Sequence, residues 1–371
     1  MIRKTGSLFL AVLLGTAAGG FVWSFVLIMN AGIALFWEIL PGHIGVRFYP
    51  LLVCGLGGIA VGLCQKKFGA YPEELEKVIA AVKTTRRYEY KNVPAITVTA
   101  LLPIVFGGSI GPEAGLSGAV AGFCTWIGDR LLSAAKVTSK RILYGAAALG
   151  GLGAYILLTK YSGGGIVFSR FNAEAFGQRE LMWFVPFVLL GIAMGYFYHA
   201  IGQLISLSMR PLSRLPVLRA VIGGAALGIC GIFLPYTLLS GEAEIGDVMA
   251  TWTTMSALLL FRSGVYKIAM TNLCIRSGWK GGHIFPLIFS GVCVGYGMAV
   301  VSGAGGVFSV AVVTAAFCGA VMRQPITVII VLALFFHIQS VPFLCAAAFI
   351  GARMPVPKAL ITQQRRENEC H

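Results

Sequence analysis

The sequence predicts an all-α membrane protein, a bundle of tilted and broken helices in two inverted halves, and three observations predict it. Of 371 residues, 57% are hydrophobic and 12% charged, and the mean hydropathy is +0.83; a soluble domain carries about 25% charged residues. Long, weakly charged blocks recur at Ser7 to Trp37, Ala95 to Ile127, Leu181 to Ile201, Ile284 to Val301 and Ile326 to Ile350, the pattern of repeated membrane crossings. Several blocks are shorter than the ~20 residues of a simple span or are broken by glycine, so some helices are expected to stop inside the bilayer.

Taken in order, the first block follows Met1, Arg3 and Lys4. It runs past Asn30 without a convincing cleavage site, which favours a first membrane helix over a removed signal peptide. Tyr71 to Ala80 then precedes a basic stretch, an apolar run, the break GGSIGPEAG (107–115) and a small-residue helix around Gly145 to Tyr155. A second series matches it: Gly241 to Ala250, Arg262 to Lys267, an apolar run, GWKGGHIFPLIFSG (278–291) and TAAFCGAVM (314–322). The offset between corresponding pieces is roughly 170 residues, and such duplication marks transporters and channels whose site lies at the repeat interface. The expected division is a first membrane half over 1–180, an inverted second half over 181–360 and a short cytoplasmic tail over 361–371. No large cytoplasmic regulatory domain is expected. Small-residue faces at Gly145 to Gly153 and Gly191 to Gly195 suit helix packing, within one subunit or between two.

The formal charge of +15 comes from 29 Lys and Arg against 14 Asp and Glu. Its clusters, Lys66-Lys67, Lys83 to Arg87, Lys136 to Arg141 and Arg365-Arg366, lie between spans, as cytoplasmic loops and headgroup contacts do. That spread argues against nucleic-acid binding, and the basic residues at both ends favour cytoplasmic termini. Nine cysteines and five histidines form no CxxC, HExxH or Cys/His cluster, so no metal or cofactor is expected. Without GxSxG, or a histidine near Ser109, an enzyme is not expected either.

Within the first break, one carboxylate, Glu113, stands in apolar, glycine-rich sequence. Glycine allows unusual backbone angles and Pro112 suits a helix start, and a helix start attracts anions through its free N–H groups. The second break has the same construction. Two helix starts meeting near the midplane would hold a dehydrated anion largely by backbone N–H groups. Glu113 would then be a tethered anion competing with the permeant one, released on protonation; the alternative is a helix cap at the membrane surface.

These residues carry a resemblance. Gly111-Pro112-Glu113-Ala114-Gly115 resembles the GREGP-type motif of the CLC family of chloride channels and chloride/proton antiporters. GGHIFP resembles its GGxFxP motif, and residues 314–334 are similar to the segment that follows. The likeness runs from about Tyr71 to Met354 and implies a CLC-like fold in a distant, short member, conducting chloride across a plasma (inner) membrane as a homodimer with one pore per subunit. By that resemblance Glu113 is the gating glutamate, the amides of Glu113, Ala114 and Gly115 line an outer anion site, and those of His283 and Ile284 coordinate a central anion; the His283 imidazole is expected to turn toward a polar crevice, with a side-chain role in the site the alternative.

Three departures qualify it. The family's GSGIP serine falls at Gly69, beside Ala70 and Tyr71, so that hydroxyl is missing, and Pro357 takes the place of the tyrosine that closes the central site. Tyr71 or Lys280 could compensate, although each reads as a helix-end residue. Gly163 to Asn172 (GGGIVFSRFN) lacks the inward-facing glutamate of proton-exchanging members; Glu174 is nearby but out of register. The expected function is therefore a chloride channel or uncoupled conductor gated by Glu113, with a chloride/proton antiporter the alternative and a non-transporting membrane protein or intramembrane enzyme a minor one. Nothing in the second break favours fluoride export.

Overall fold

The computed structural model describes every residue except 1, 70, 74, 132–139, 164, 166–168, 175 and 356–371. Ala70, Pro357, most of the 136–141 basic cluster and the expected tail thus lie outside the described residues. Among those described, the chain is helical throughout, with fifteen α-helices and a single two-residue β-bridge. Seven helical segments are long and apolar enough to cross a membrane.

The first series comprises α1 (Ile2–Ala34), continued through a π-turn into α2 (Leu40–Ile44), then α3 (Tyr49–Phe68), α4 (Leu75–Thr85), α5 (Val93–Val105), α6 (Glu113–Leu131) and α7 (Lys140–Ser162). The second comprises α8 (Gln178–Met209), α9 (Pro216–Phe233), α10 (Glu244–Thr251), α11 (Ala257–Ser277), α12 (Ile284–Ser302), α13 (Gly306–Met322), α14 (Pro325–Leu332) and α15 (Val341–Arg353). Proline in the first turn starts α3, α5, α9, α14 and α15, where its missing N–H costs nothing. The repeated polar segments, 71–80 and 241–250, lead into and form much of the short helices α4 and α10. The 13-residue α5 and the short α14 fall below the ~20 residues of a simple span.

Small residues decide how the helices meet. A methyl group on Gly15 or Gly19 of α1 would overlap the backbone of Ala147 or Gly151, so α1 and α7 touch backbone to backbone and run the same way. Gly58 and Gly62 of α3 lie against Ala220–Val221 and Val217 of α9, while Gly228 of α9 lies against Leu51. These matched helices therefore run antiparallel, as inverted halves require. Such close approach is how helices associate where lipid is as apolar as leucine. Gly191 and Gly195 of α8 pack on Ala316 and Ala320 of α13, and Gly150 and Gly151 of α7 on α1, whereas Gly145 and Gly153 have no neighbour within 4 Å of an added methyl group.

At the centre, α12 and α13 are buried along almost their whole length, in a cluster that includes Phe171, Phe285, Phe289, Phe308, Phe317 and Phe335. Leu149, Met182, Phe233 and Ile326, by contrast, lie exposed on the periphery, the side chains a lipid-facing surface needs. Between the two series, Phe171 is tied to the second half: its N–H donates to the Phe335 carbonyl at 2.8 Å, and its ring stacks on Phe336 at 4.4 Å.

Candidate functional site

Each break is built by the same device. A positive-φ glycine follows the incoming helix, Gly107 (φ +92°) beyond α5 and Gly278 (φ +101°) beyond α11, a conformation that suits glycine. Carbonyls at the ends of those helices are satisfied locally: the Gly108 N–H donates to Pro103 O at 2.7 Å and the Trp279 N–H to Cys274 O at 2.8 Å. Trp37 caps the first break through Nε1 to Val105 O at 3.0 Å. Trp279, fully buried, anchors the second through Nε1 to Ala220 O at 2.8 Å.

The two breaks then bond to each other. Gly111 and Gly282 exchange both backbone hydrogen bonds, each at 2.8 Å. Ser109, at 0% exposure, is 3.1 Å from the Thr271 hydroxyl on α11. A further tie runs from the second half to the start of the first break, since the Leu239 N–H donates to Gly107 O at 3.0 Å. Leu239 has φ +57°, and its turn is held by the fully buried Lys267, whose ammonium donates to the carbonyls of Tyr236 (3.0 Å), Leu238 (2.7 Å) and Leu239 (2.9 Å). The ammonium also lies over the Phe289 ring at 5.0 Å, a favourable cation–π geometry.

Two helix starts emerge from this bridge, α6 at Glu113 and α12 at Ile284. Their first-turn N–H groups have no partner within their own helix and carry the positive end of the helix dipole. The Glu113 side chain crosses the gap: Oε1 accepts from the Phe285 N–H at 2.8 Å. Oε2 is buried without a hydrogen-bond partner. Glycine leaves the space it occupies, because a methyl group on Gly111 or Gly282 would overlap the carboxylate. A carboxylate thus occupies the start of the opposite helix, where a small inorganic anion would find the same N–H groups.

Sequence reasoning brought several of these positions together and left others apart. Glu113, Ala114 and Gly115 form the first turn of α6, and His283 and Ile284 flank the start of α12; the carboxylate takes the next amide along, Phe285. The His283 imidazole faces Tyr198 of α8, ring centroids 6.2 Å apart. Gly69, at φ +72°, ends α3 with its N–H on Gln65 O at 2.9 Å. Tyr71 accepts from Asn92 Nδ2 at 2.6 Å, the helix-end role the sequence suggests. Glu174 caps another helix, Oε2 accepting from the Phe308 N–H of α13 at 2.9 Å. Among the described residues no group of His, Cys, Asp or Glu is arranged to hold a metal ion.

Comparison with known proteins follows the same lines. The sequence model of the voltage gated chloride channel family matches residues 57–156 and 151–354. The chain is 27% identical over 343 residues to the "Putative ion-transport protein YfeO" of Escherichia fergusonii, and 29% identical over 345 residues to the protein of that name from Escherichia coli O1:K1, with 80% of each chain covered in both cases. Its structure is similar to that of a slow cyanobacterial Cl−/H+ antiporter (TM-score 0.72, 17% identity, 93% of this chain and 94% of that one). A CLC-type fluoride/proton antiporter is also similar (TM-score 0.66, 17% identity, 93% and 95%). At these identities the structural likeness shows the fold.

Proposed function

The chain belongs to the voltage gated chloride channel (CLC) family, and from that membership we propose that it conducts chloride, without obligatory proton exchange, through a pathway gated by Glu113. One observation carries the reading: the Glu113 carboxylate sits on the Phe285 N–H at 2.8 Å, bridging the two helix starts. The amides of Glu113, Ala114 and Gly115 on one side and of His283 and Ile284 on the other are the proposed anion ligands. Backbone N–H groups stabilise a dehydrated anion yet bind it less tightly than a fixed cation would, which lets it leave.

As long as Glu113 is ionised it fills the position of an anion. Protonation removes its charge and weakens its bond to the Phe285 N–H, since hydrogen bonds to charged acceptors are roughly twice as strong as neutral ones. Flux is therefore expected to rise as pH falls. Absence of a coupled proton path is supported by Glu174, which bonds the start of α13 next to where α12 ends. The 19 residues of α12, at ~1.5 Å rise each, put that carboxylate about 28 Å along the helix from the Glu113 contact.

The face bearing Lys66, Lys67, Lys83, Arg86, Arg87 and Arg130, where α3 and α6 end, is assigned to the cytoplasm by its excess of basic residues, in a plasma (inner) membrane. We assign both termini to that side. A homodimer with one pathway per subunit completes the proposal. The test is chloride efflux from liposomes as a function of pH. Glu113→Gln should conduct at every pH from 5 to 8, with wild-type flux approaching it only at the acid end; a pH dependence unchanged by the substitution overturns the gate.

A further inference from the structure

A cavity of about 530 Å³ lies between α1, α5 and α6, lined by Phe21, Tyr90, Val93, Pro94, Phe123 and Trp126 among others. Small residues bring its walls together. Gly115, Gly118 and Gly122 of α6 lie against Ala100, Ile96 and Val93 of α5, so the two helices run antiparallel and the first turn of α5 meets the last turns of α6. There α6 presents Phe123 and Trp126, whose rings meet edge to face at 6.2 Å. Phe21 of α1 adds a third ring, 4.7 Å from that of Phe123. Thr97, also on the wall, gives its hydroxyl to Val93 O at 2.8 Å and so asks nothing of an occupant. The interior is suited to hydrocarbon, whose burial there removes apolar surface from contact with water.

The mouth has a different character. Trp126 stands ~20 Å along α6 from Glu113 at the rise of a helix, so the cavity belongs to the basic face and not to the gate. The Arg130 guanidinium lies over the Trp126 ring, 5.8 Å from its centroid, and the exposed Lys91 follows Tyr90. Of the acids at this end, Asp129 pairs with Arg87 at 2.6 Å, and Glu89 accepts from Asn92 Nδ2 at 2.7 Å. With the exposed Arg86, the surroundings carry an excess of positive charge. Tyrosine and tryptophan settle where a bilayer meets water, and basic residues there attract anionic headgroups. Any lipid chain fills an apolar cavity, but a basic mouth selects an acidic one. We propose that this cavity holds one acyl chain of an acidic phospholipid, with the phosphate at Lys91 and Arg130. The site is independent of the conducting reading and of the Glu113 gate.

The test is native mass spectrometry of the full-length protein, released from detergent with dioleoyl phosphatidylglycerol, dioleoyl phosphatidylcholine or oleate added. One phosphatidylglycerol per chain should be retained, in preference to phosphatidylcholine by about fivefold or more, the effect of a single basic residue beside an anionic headgroup. Val98→Trp fills the cavity from a lining position that is 44% exposed, and should lose the retained lipid while staying monodisperse. Lys91→Gln/Arg130→Gln alters exposed side chains only, and should retain lipid without the preference. Equal retention of the two phospholipids by wild type, retention untouched by Val98→Trp, or a preference untouched by Lys91→Gln/Arg130→Gln overturns the site. Oleate held more tightly than phosphatidylglycerol overturns the phospholipid as its occupant.

Discussion

Glu113 was legible because it is a lone acid in apolar sequence, yet the sequence did not show what its carboxylate touches. Gly282 supplies that answer, since it leaves the space the carboxylate occupies. Gly282→Ala should therefore unseat Glu113 and flatten the pH dependence of chloride flux while the protein remains folded and monodisperse; a normal pH profile in this variant would mean that the carboxylate rests elsewhere. Lys267 was not legible as a clamp. Its partners are three carbonyls of one turn 28 to 31 residues earlier, and main-chain acceptors leave no mark in a sequence. Lys267→Met should destabilise by about 3 kcal/mol or more, because each buried carbonyl left without a donor costs ~1–3 kcal/mol, and the expected readout is a lowered midpoint in thermal unfolding in detergent. Tyr198 was missed for a related reason: it meets His283 only because α8 crosses the start of α12.

At the level of the helices, the breaks were read correctly from glycine and proline, because a backbone that must turn at positive φ inside an apolar run leaves few residue choices. Which glycines pack and which only fill a helix was not readable, as both look alike along the chain. Two residues of α3 separate the cases. A methyl group on Gly55 meets nothing within 4 Å, whereas one on Gly58 falls into the backbone of α9. Gly55→Ala should be neutral or stabilising, given alanine's helix preference of about 1 kcal/mol over glycine. Gly58→Ala should lower the yield of monodisperse protein and its unfolding temperature, and equal stability of the two variants would contradict the packing described. The faces around Gly150 and Gly191, left open between uses by the sequence, pack inside the subunit against α1 and α13.

Over the whole molecule, duplication at near-constant spacing anticipated that the two glycine breaks would meet, and the Gly111–Gly282 bridge is that meeting. The path of the join was not anticipated: Phe171 enters the core of the second half and Glu174 caps α13, contacts formed across more than 130 residues that no local pattern encodes. That arrangement holds Glu174 at the start of α13 and underlies the proposal of conduction without proton exchange. The measurement that tests it most directly is simultaneous chloride and proton flux from purified protein in liposomes under an outward chloride gradient, with Glu113→Gln alongside. Chloride efflux without uphill proton movement, its pH dependence abolished in Glu113→Gln, is the predicted result. Chloride efflux that drives protons uphill in fixed ratio, or no chloride efflux at all, would contradict it.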